Sequence, residues 1–338
     1  MVGLMEINNI KTKLLSDEYD FLRTDEHLGE NIILLTLGGS HAYGTNIEGS
    51  DIDLRGIALE RKNEILGMGN FEQFENKKTD TTIYGLRKII GLLLNSNPNV
   101  LEILGTDDSQ LFYCNKYGQL LRDNKDLFIS RKVINSFGGY ATAQLRRLQN
   151  ALARDSYPQS EKEKHIKNTI DMQLSTLEDR YHSLTGGELR LYIQDSLKED
   201  YDTEIYMDCT LKGYPLRDFK NIHSEMANVI KDYDKLNQRN RKKDDAHLLK
   251  HAMHLIRLLI TGTDLLEGKG IITYRRNERE FLLDIRNGKY SYEELFTMID
   301  KYETRFKYAA DNTSLPSKPN YKLVEDLLIN IYEEYLRG

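Results

Sequence analysis

Two aspartates, Asp51 and Asp53, stand two positions apart in an alternating apolar stretch, and Gly39-Ser40 precedes them by ten intervening residues. Carboxylates two residues apart on a strand leave the same face. If Ser50 to Leu59 is a strand, the oxygens of Asp51 and Asp53 lie side by side. Like charges that close require a counter-charge, and a hard divalent cation such as Mg²⁺, or Mn²⁺ in its place, supplies it. Two such ions can clamp the attacking and the leaving oxygen in phosphoryl chemistry. Gly39 lets backbone N–H groups approach a phosphate with no Cβ in the way. Ser40 adds a hydroxyl donor, and a turn entering a helix turns the positive helix end toward the phosphates. An anion cradle beside a metal site suits a nucleoside triphosphate bound with Mg²⁺. Either half alone is uninformative, because an isolated Asp-x-Asp is usually a solvated strand face. The ordered combination is what carries the reading.

The elements that must position these residues follow from the surrounding pattern. Asn31 to Leu37 is a short apolar run suited to a buried strand, broken by Gly38-Gly39-Ser40. Ser50 to Leu59 alternates Ile52, Leu54, Ile57 and Leu59 with polar residues and kinks near Gly56. Phe71 to Phe74 and Thr79 to Ile83 predict a hairpin. Tyr84 to Leu94 has helical spacing, is stopped by Asn97-Pro98-Asn99, and precedes a helical turn over Val100 to Leu104. Strand-like alternation fades from about Arg131. Long helical segments take over at Phe137 to Ala153, Glu161 to Leu184, Ile222 to Leu236, Asp244 to Thr261, Tyr292 to Phe306 and Lys322 to Leu336. The first third thus reads as α/β, and the part past about residue 131 as mostly helical.

Composition narrows the class. The 338 residues carry a formal net charge of −6, which disfavours sequence-independent duplex binding. No run of 18 apolar residues is present, so no membrane span is expected. Met1 to Thr12 lacks the features of a signal peptide. Cys114 and Cys209 fit neither a metal spacing nor a disulfide framework, and a reducing cytoplasm is the simplest compartment.

Apolar strand, Gly39-Ser40 and Asp51-x-Asp53 together resemble the DNA polymerase β-like nucleotidyltransferase superfamily, whose signature is Gly-Ser, a short helix and Asp-x-Asp. The extended form, Gly39-Ser40-His41-Ala42-Tyr43-Gly44-Thr45 with Ser50-Asp51-Ile52-Asp53-Leu54-Arg55-Gly56, looks like its RNA-repair-associated branch. Asn97-Pro98-Asn99-Val100-Leu101-Glu102, Gly139-Tyr140-Ala141-x-x-Gln144 and Lys250-His251-x-x-His254-x-x-Arg257 are similar to that branch as well. The resemblance covers roughly residues 31–290. It implies an α+β fold, with a catalytic domain over 1–130 on a mixed sheet with flanking helices and a mostly helical domain over 131–338 that completes the nucleotide and acceptor cleft. It also implies a third carboxylate on a following strand, for which Asp80 is the natural candidate, with Asp107 and Asp108 in reserve. The competing reading of Asp80 is a hairpin-end residue or helix N-cap.

His247, His251 and His254 share one helix face, without the His-Glu-x-x-His pattern of a zinc protease helix. Lys250, His254 and Arg257 also share a face. In a nucleotidyltransferase such a helix delivers cations to the triphosphate; the alternative is a polar face packed on the first domain. Arg55 has the face parity of Asp51 and Asp53, and either pairs with a carboxylate or reaches a phosphate. The basic runs Arg146-Arg147…Arg154 and Arg239 to Lys243 are RNA-backbone contacts or solvated helix faces.

The resulting expectation is transfer of a nucleoside monophosphate from an NTP to an acceptor hydroxyl, with release of pyrophosphate. Asp51, Asp53 and Asp80 act as metal-binding and catalytic residues, and Gly39, Ser40, Arg55, Lys250, His254 and Arg257 hold the nucleotide. The branch resemblance implies an RNA end, tRNA or another RNA, as acceptor. Two alternatives stand beside it: nucleotidylation of a protein side chain, and a nucleotide-binding module that no longer catalyses. The base preference and the oligomeric state are not readable from the chain.

Overall fold

A computed structural model describes residues 2–156, 188–195, 203–217 and 245–338, with a few single positions between 197 and 230. The chain divides into two compact units, one formed by Met1–Arg146 with Leu249–Gly338 and the other by Arg147–Leu248. The expected helix at Glu161 to Leu184 and most of that at Ile222 to Leu236 lie outside the described residues.

The first unit is built on a five-stranded mixed sheet. Its strands are β1 (Ile32–Leu37), β2 (Leu54–Ala58), β3 (Gln73–Asn76), β4 (Thr81–Gly85) and β5 (Leu111–Cys114), ordered β3-β4-β2-β1-β5. All six residues of β1 are buried. An interior strand covered on both faces needs that continuous apolar run rather than an alternation. β1 runs antiparallel to both its neighbours, whereas β2 and β4 run parallel. β3 closes one edge with an exposed, polar pattern, as an edge strand tolerates.

Helices cover the sheet. Leu86–Leu93 follows β4 and buries Leu86, Ile89, Ile90 and Leu93 at helical spacing. Pro98–Leu104 starts with proline at its first position and an Asn97 side-chain cap on Asn99 N–H. A core cluster joins Ile10, Leu14, Tyr19 and Leu22 of the N-terminal segment to Leu35, Leu37, Leu54 and Ile83 of the sheet. Four longer helices, Lys132–Ser156, Asp245–Leu266, Tyr292–Asn312 and Tyr321–Arg337, follow the pattern expected past residue 131, and a shorter helix, Arg279–Arg286, adds to it. The α+β class read from the sequence is the class of the fold.

The second unit contains one pair of strands that the helical reading of this region did not include. β6 (Glu188–Asp195) and β7 (Thr203–Thr210) form an antiparallel pair in register from Glu188↔Thr210 to Asp195↔Thr203. Tyr192 and Tyr206 sit opposite each other there, with ring centroids 5.9 Å apart. Cross-strand aromatic pairs of this kind stabilise a ladder.

Candidate active site

Strand register gathers the site. Leu37 pairs with Leu54, and Leu54 pairs in parallel with Thr81. The residues just beyond these three positions, Gly38, Asp53 and Asp80, therefore meet at one edge of the sheet. Two backbone hydrogen bonds tie them together. Gly38 N–H donates to the Asp53 carbonyl at 2.8 Å, and Leu54 N–H to the Asp80 carbonyl at 3.1 Å. Asp80 holds a positive φ of 44°, a conformation that aspartate tolerates better than most residues and that turns the chain into β4.

The Gly-Ser turn is fitted to Asp53. Gly38 caps the short Gly39–Tyr43 helix, and Gly44 ends it in the left-handed region at φ 74°. A Cβ on Gly39, which has φ 54°, would stand 1.7 Å from Asp53 Oδ2. A Cβ on Gly38 would stand 2.7 Å from Arg55 Cγ. Both glycines are thus required by close approach of the turn to the acidic segment, and at Gly39 the backbone conformation demands glycine too. Ser40 is buried, and its carbonyl accepts from Thr45 N–H.

Asp53 and Asp80 behave as one unit. Their carboxyl groups are hydrogen-bonded to each other, and Asp53 has only 17% of its side chain exposed against 56% for Asp80. Burial, then the bond to Asp80 and the charge of Asp80, push Asp53 up to about 7. The bond from Asp53 holds Asp80 below the usual carboxylate range, with help from Arg55 and Lys250. Arg55 braces the pair: Nη1 donates to the Asp80 carbonyl at 2.6 Å, and Nη2 lies 3.1 Å from Asp80 Oδ1 and 3.7 Å from Asp53 Oδ1. Of the two roles its parity allowed, this is the pairing with a carboxylate.

Asp51 stands apart from this unit. β2 begins at Leu54, so Asp51 to Asp53 precede the strand and the face-parity argument does not govern them; Asp51 is exposed. Among the described residues, no three His, Cys, Asp or Glu side chains converge closely enough to hold a metal ion. The donor chemistry of the pair still fits one hard cation: two carboxyl groups that share a proton can share such a cation in its stead.

The helix Asp245–Leu266 brings its three expected residues to different places. Lys250 is exposed, and its charge acts on both Asp53 and Asp80. His254 is half-buried and kept neutral, pushed down to about 3 by burial and by the charges of Arg257, Lys250 and Arg286. Arg257 lies behind the Gly-Ser helix, its guanidinium carbon 3.3 Å from the centroid of the Tyr43 ring. Burial lowers it to about 10 against the opposing charge of Glu102, whose own carboxyl burial pushes up to about 7. His251 Nδ1 lies 3.1 Å from Gln144 Oε1. The reserve acids are engaged elsewhere, Asp107 with Arg276 at 2.6 Å and Asp108 with Arg122 at 2.8 Å. The side chains of Arg146, Arg147 and Arg154 and the run Arg239 to Lys243 lie outside the described residues.

Residues not singled out in the sequence complete the setting. Gln110 Nε2 donates to the His41 carbonyl at 2.7 Å, Arg275 N–H to the Tyr43 carbonyl at 3.2 Å, and Arg286 Nη1 to the Thr45 carbonyl at 2.5 Å. Carbonyls of the Gly-Ser helix and of the loop just after it are thus taken up by later parts of the chain. Nothing in local sequence marks these donors; only the chain path brings them there.

The family model of the RNA repair pathway DNA polymerase beta family matches residues 15–330. An uncharacterised 38.9 kDa protein from the nrdC-mobD intergenic region of Enterobacteria phage T4 is 22% identical over 336 residues, covering 89% of this chain and 96% of that protein. No solved structure gives a significant match. A match over nearly the whole chain, on a sheet whose edge carries the Gly-Ser turn and the paired acids, places the protein in the RNA repair pathway DNA polymerase beta family.

Proposed function

We propose that the protein is a metal-dependent nucleotidyltransferase that moves a nucleoside monophosphate from an NTP to a hydroxyl at an RNA end. One observation carries the reading: Gly39, Asp53 and Asp80 meet at one sheet edge, with the turn so close to Asp53 that a Cβ at Gly39 would overlap its carboxylate. The family supports nucleotidyl transfer in RNA repair. The metal, the NTP and the RNA acceptor are this proposal's own.

Asp53 and Asp80, with Asp51 upstream, would hold Mg²⁺ or Mn²⁺. When bound, such an ion neutralises charge on the phosphate oxygens and lowers the barrier to displacement at phosphorus. The chain's own groups do the rest. The turn amides and the Ser40 hydroxyl are donors for the phosphates. Lys250 brings positive charge to the carboxyl edge from the opposite helix. Asp80, the member of the pair held ionised, is placed to accept the proton of the attacking hydroxyl. The acceptor oxygen bonds to the α-phosphorus, the bond to the bridging oxygen breaks, and pyrophosphate leaves. Arg257 enters as a support of Tyr43, and His254 as a neutral hydrogen-bonding group beside Lys250.

The test is incubation of labelled NTPs with an RNA pool, with cell lysate, and with the protein alone, each with Mg²⁺ or Mn²⁺. Label is expected in RNA and absent with a folded Asp51→Ala/Asp53→Ala double variant. Equal transfer by that variant defeats the proposal, and label confined to lysate protein moves the acceptor from RNA to a side chain.

A further inference from the structure

The loop from Gly44 to Ser50 joins the Gly-Ser helix to Asp51 and Asp53; Gly44 and Thr45 are buried at its start, but its tip is open. Ile47, Glu48 and Gly49 are exposed, and a Cβ on Gly49 would meet nothing within 4 Å. Both ends of the loop are nevertheless tied to one side chain. Arg286, the last residue of the Arg279–Arg286 helix, donates through Nη1 to the Thr45 carbonyl at 2.5 Å and through Nη2 to the Ser50 hydroxyl at 3.4 Å. Ser50 then closes the loop on itself. Its hydroxyl accepts from Ile47 N–H at 2.9 Å, its N–H donates to the Ile47 carbonyl at 3.0 Å, and its carbonyl lies 3.4 Å from His41 Nε2.

Arg286 is half-buried and makes no ion pair with a carboxylate among the described residues. Burial alone lowers its affinity for its proton, with no neighbouring acid opposing it. A guanidinium that gives up water without gaining a carboxylate depends on the oxygens it does meet. Those oxygens are the first and last polar anchors of the loop, five residues apart in sequence. A planar fork reaches both at once; an ammonium, a single point of charge, does not.

We propose that Arg286 is a positioning residue of the active site, holding the 45–50 loop in the form that sets Asp53 beside the Gly-Ser turn. The clamp belongs to the fold; its link to catalysis rests on the nucleotidyl-transfer reading. It gives the exposed tip of the segment between turn and acids an anchor from a helix some 230 residues later in the chain.

The experiment is amide hydrogen exchange on the full-length protein, wild type against Arg286→Lys and Arg286→Ala, read peptide by peptide, with label-transfer kinetics on the same samples. Arg286→Ala is expected to speed exchange over residues 45–52 by about 10- to 100-fold, the range for losing hydrogen bonds from a charged donor. Exchange in β1, β2 and β4 is expected to stay unchanged. The lysine variant falls between, and it carries the test alone if the alanine variant does not fold. In the kinetics, kcat falls while KM for the NTP changes by less than about 3-fold, as for a group that orders the site without holding the nucleotide. Unchanged exchange over 45–52 in either folded variant overturns the clamp, and so does an equal rise across the whole chain. If the wild type transfers no label while the local rise is seen, the clamp stands and the nucleotidyl-transfer reading falls.

Discussion

Gly39→Ala is the most informative single substitution at this site. Gly39 has φ 54°, where an alanine costs about 1–2 kcal/mol relative to its preferred conformations. The added Cβ would also stand 1.7 Å from Oδ2, 2.7 Å from Cγ and 3.3 Å from Cβ of Asp53. Carbon–carbon contacts settle at about 3.5–4.0 Å, so the Asp53 carboxyl has to retreat by about 1 Å. A displacement of that size at a reacting centre costs about 100-fold in rate. Gly268→Ala, beyond the Asp245–Leu266 helix and outside the loop that leads to the acids, separates strain from displacement. Its φ is 76°, yet its Cβ would meet nothing within 4 Å. Both variants should therefore lose about 1–2 kcal/mol in denaturant unfolding, while only Gly39→Ala loses label transfer. Steady-state transfer and a urea titration on each variant decide the matter. Equal activity in the two variants would refute the reasoning, because the close approach of turn to carboxylate would then have no consequence.

Other predictions follow from the charges behind and across from the turn. The Glu102 carboxyl is raised to about 7 from 4.5 by burial, so the folded protein holds that proton more tightly than the unfolded chain. The associated stability is fully present below pH 4.5 and is lost as pH rises through 7, by on the order of 2–3 kcal/mol. Glu102→Gln should match wild type near pH 4 and exceed it at pH 8 in chemical denaturation. Arg257→Leu removes the cation stacked on Tyr43 and leaves Glu102 buried without its compensating charge. It should cost about 3 kcal/mol at pH 8 and less at pH 5, where Glu102 is protonated, as read by the same titrations. Lys250→Ala should raise KM for the NTP by roughly 10-fold at low salt, with the effect shrinking as ionic strength screens this exposed charge.

The parts of this architecture legible in the sequence were the local ones. The apolar run of β1, the Gly-Ser break and the helix after β4 each follow from patterns a few residues long. Asp53 and Asp80 are 27 residues apart, and their meeting depends on the parallel pairing of Leu54 with Thr81, a tertiary fact that spacing alone does not contain. A strand parity argument set Asp51 beside Asp53, but β2 starts one residue after Asp53, and parity lapses where the strand does. Helical periodicity put Lys250, His254 and Arg257 on one stripe, yet a stripe spanning seven residues is about 10 Å long. Lys250 acts on the carboxyl pair, whereas Arg257 lies against Tyr43. The β6–β7 pair had a local signal, the alternation of Leu189, Leu191 and Ile193, hidden by the helical texture around it. Arg286 had none: an arginine ending a short helix is ordinary until the fold sets it against Thr45 and Ser50.

The central claim is that the carboxyl pair beside the Gly-Ser turn moves a nucleotidyl group, and the fate of the α-phosphate tests it most directly. NTP labelled at the α-phosphorus and, in parallel, at the γ-phosphorus is incubated with RNA, Mg²⁺ and either wild type or Asp53→Asn. The account predicts α-label in the RNA and γ-label in released pyrophosphate with wild type, and no α-label in RNA with folded Asp53→Asn. Transfer of γ-label to the RNA, or undiminished α-label transfer by the asparagine variant, would contradict it.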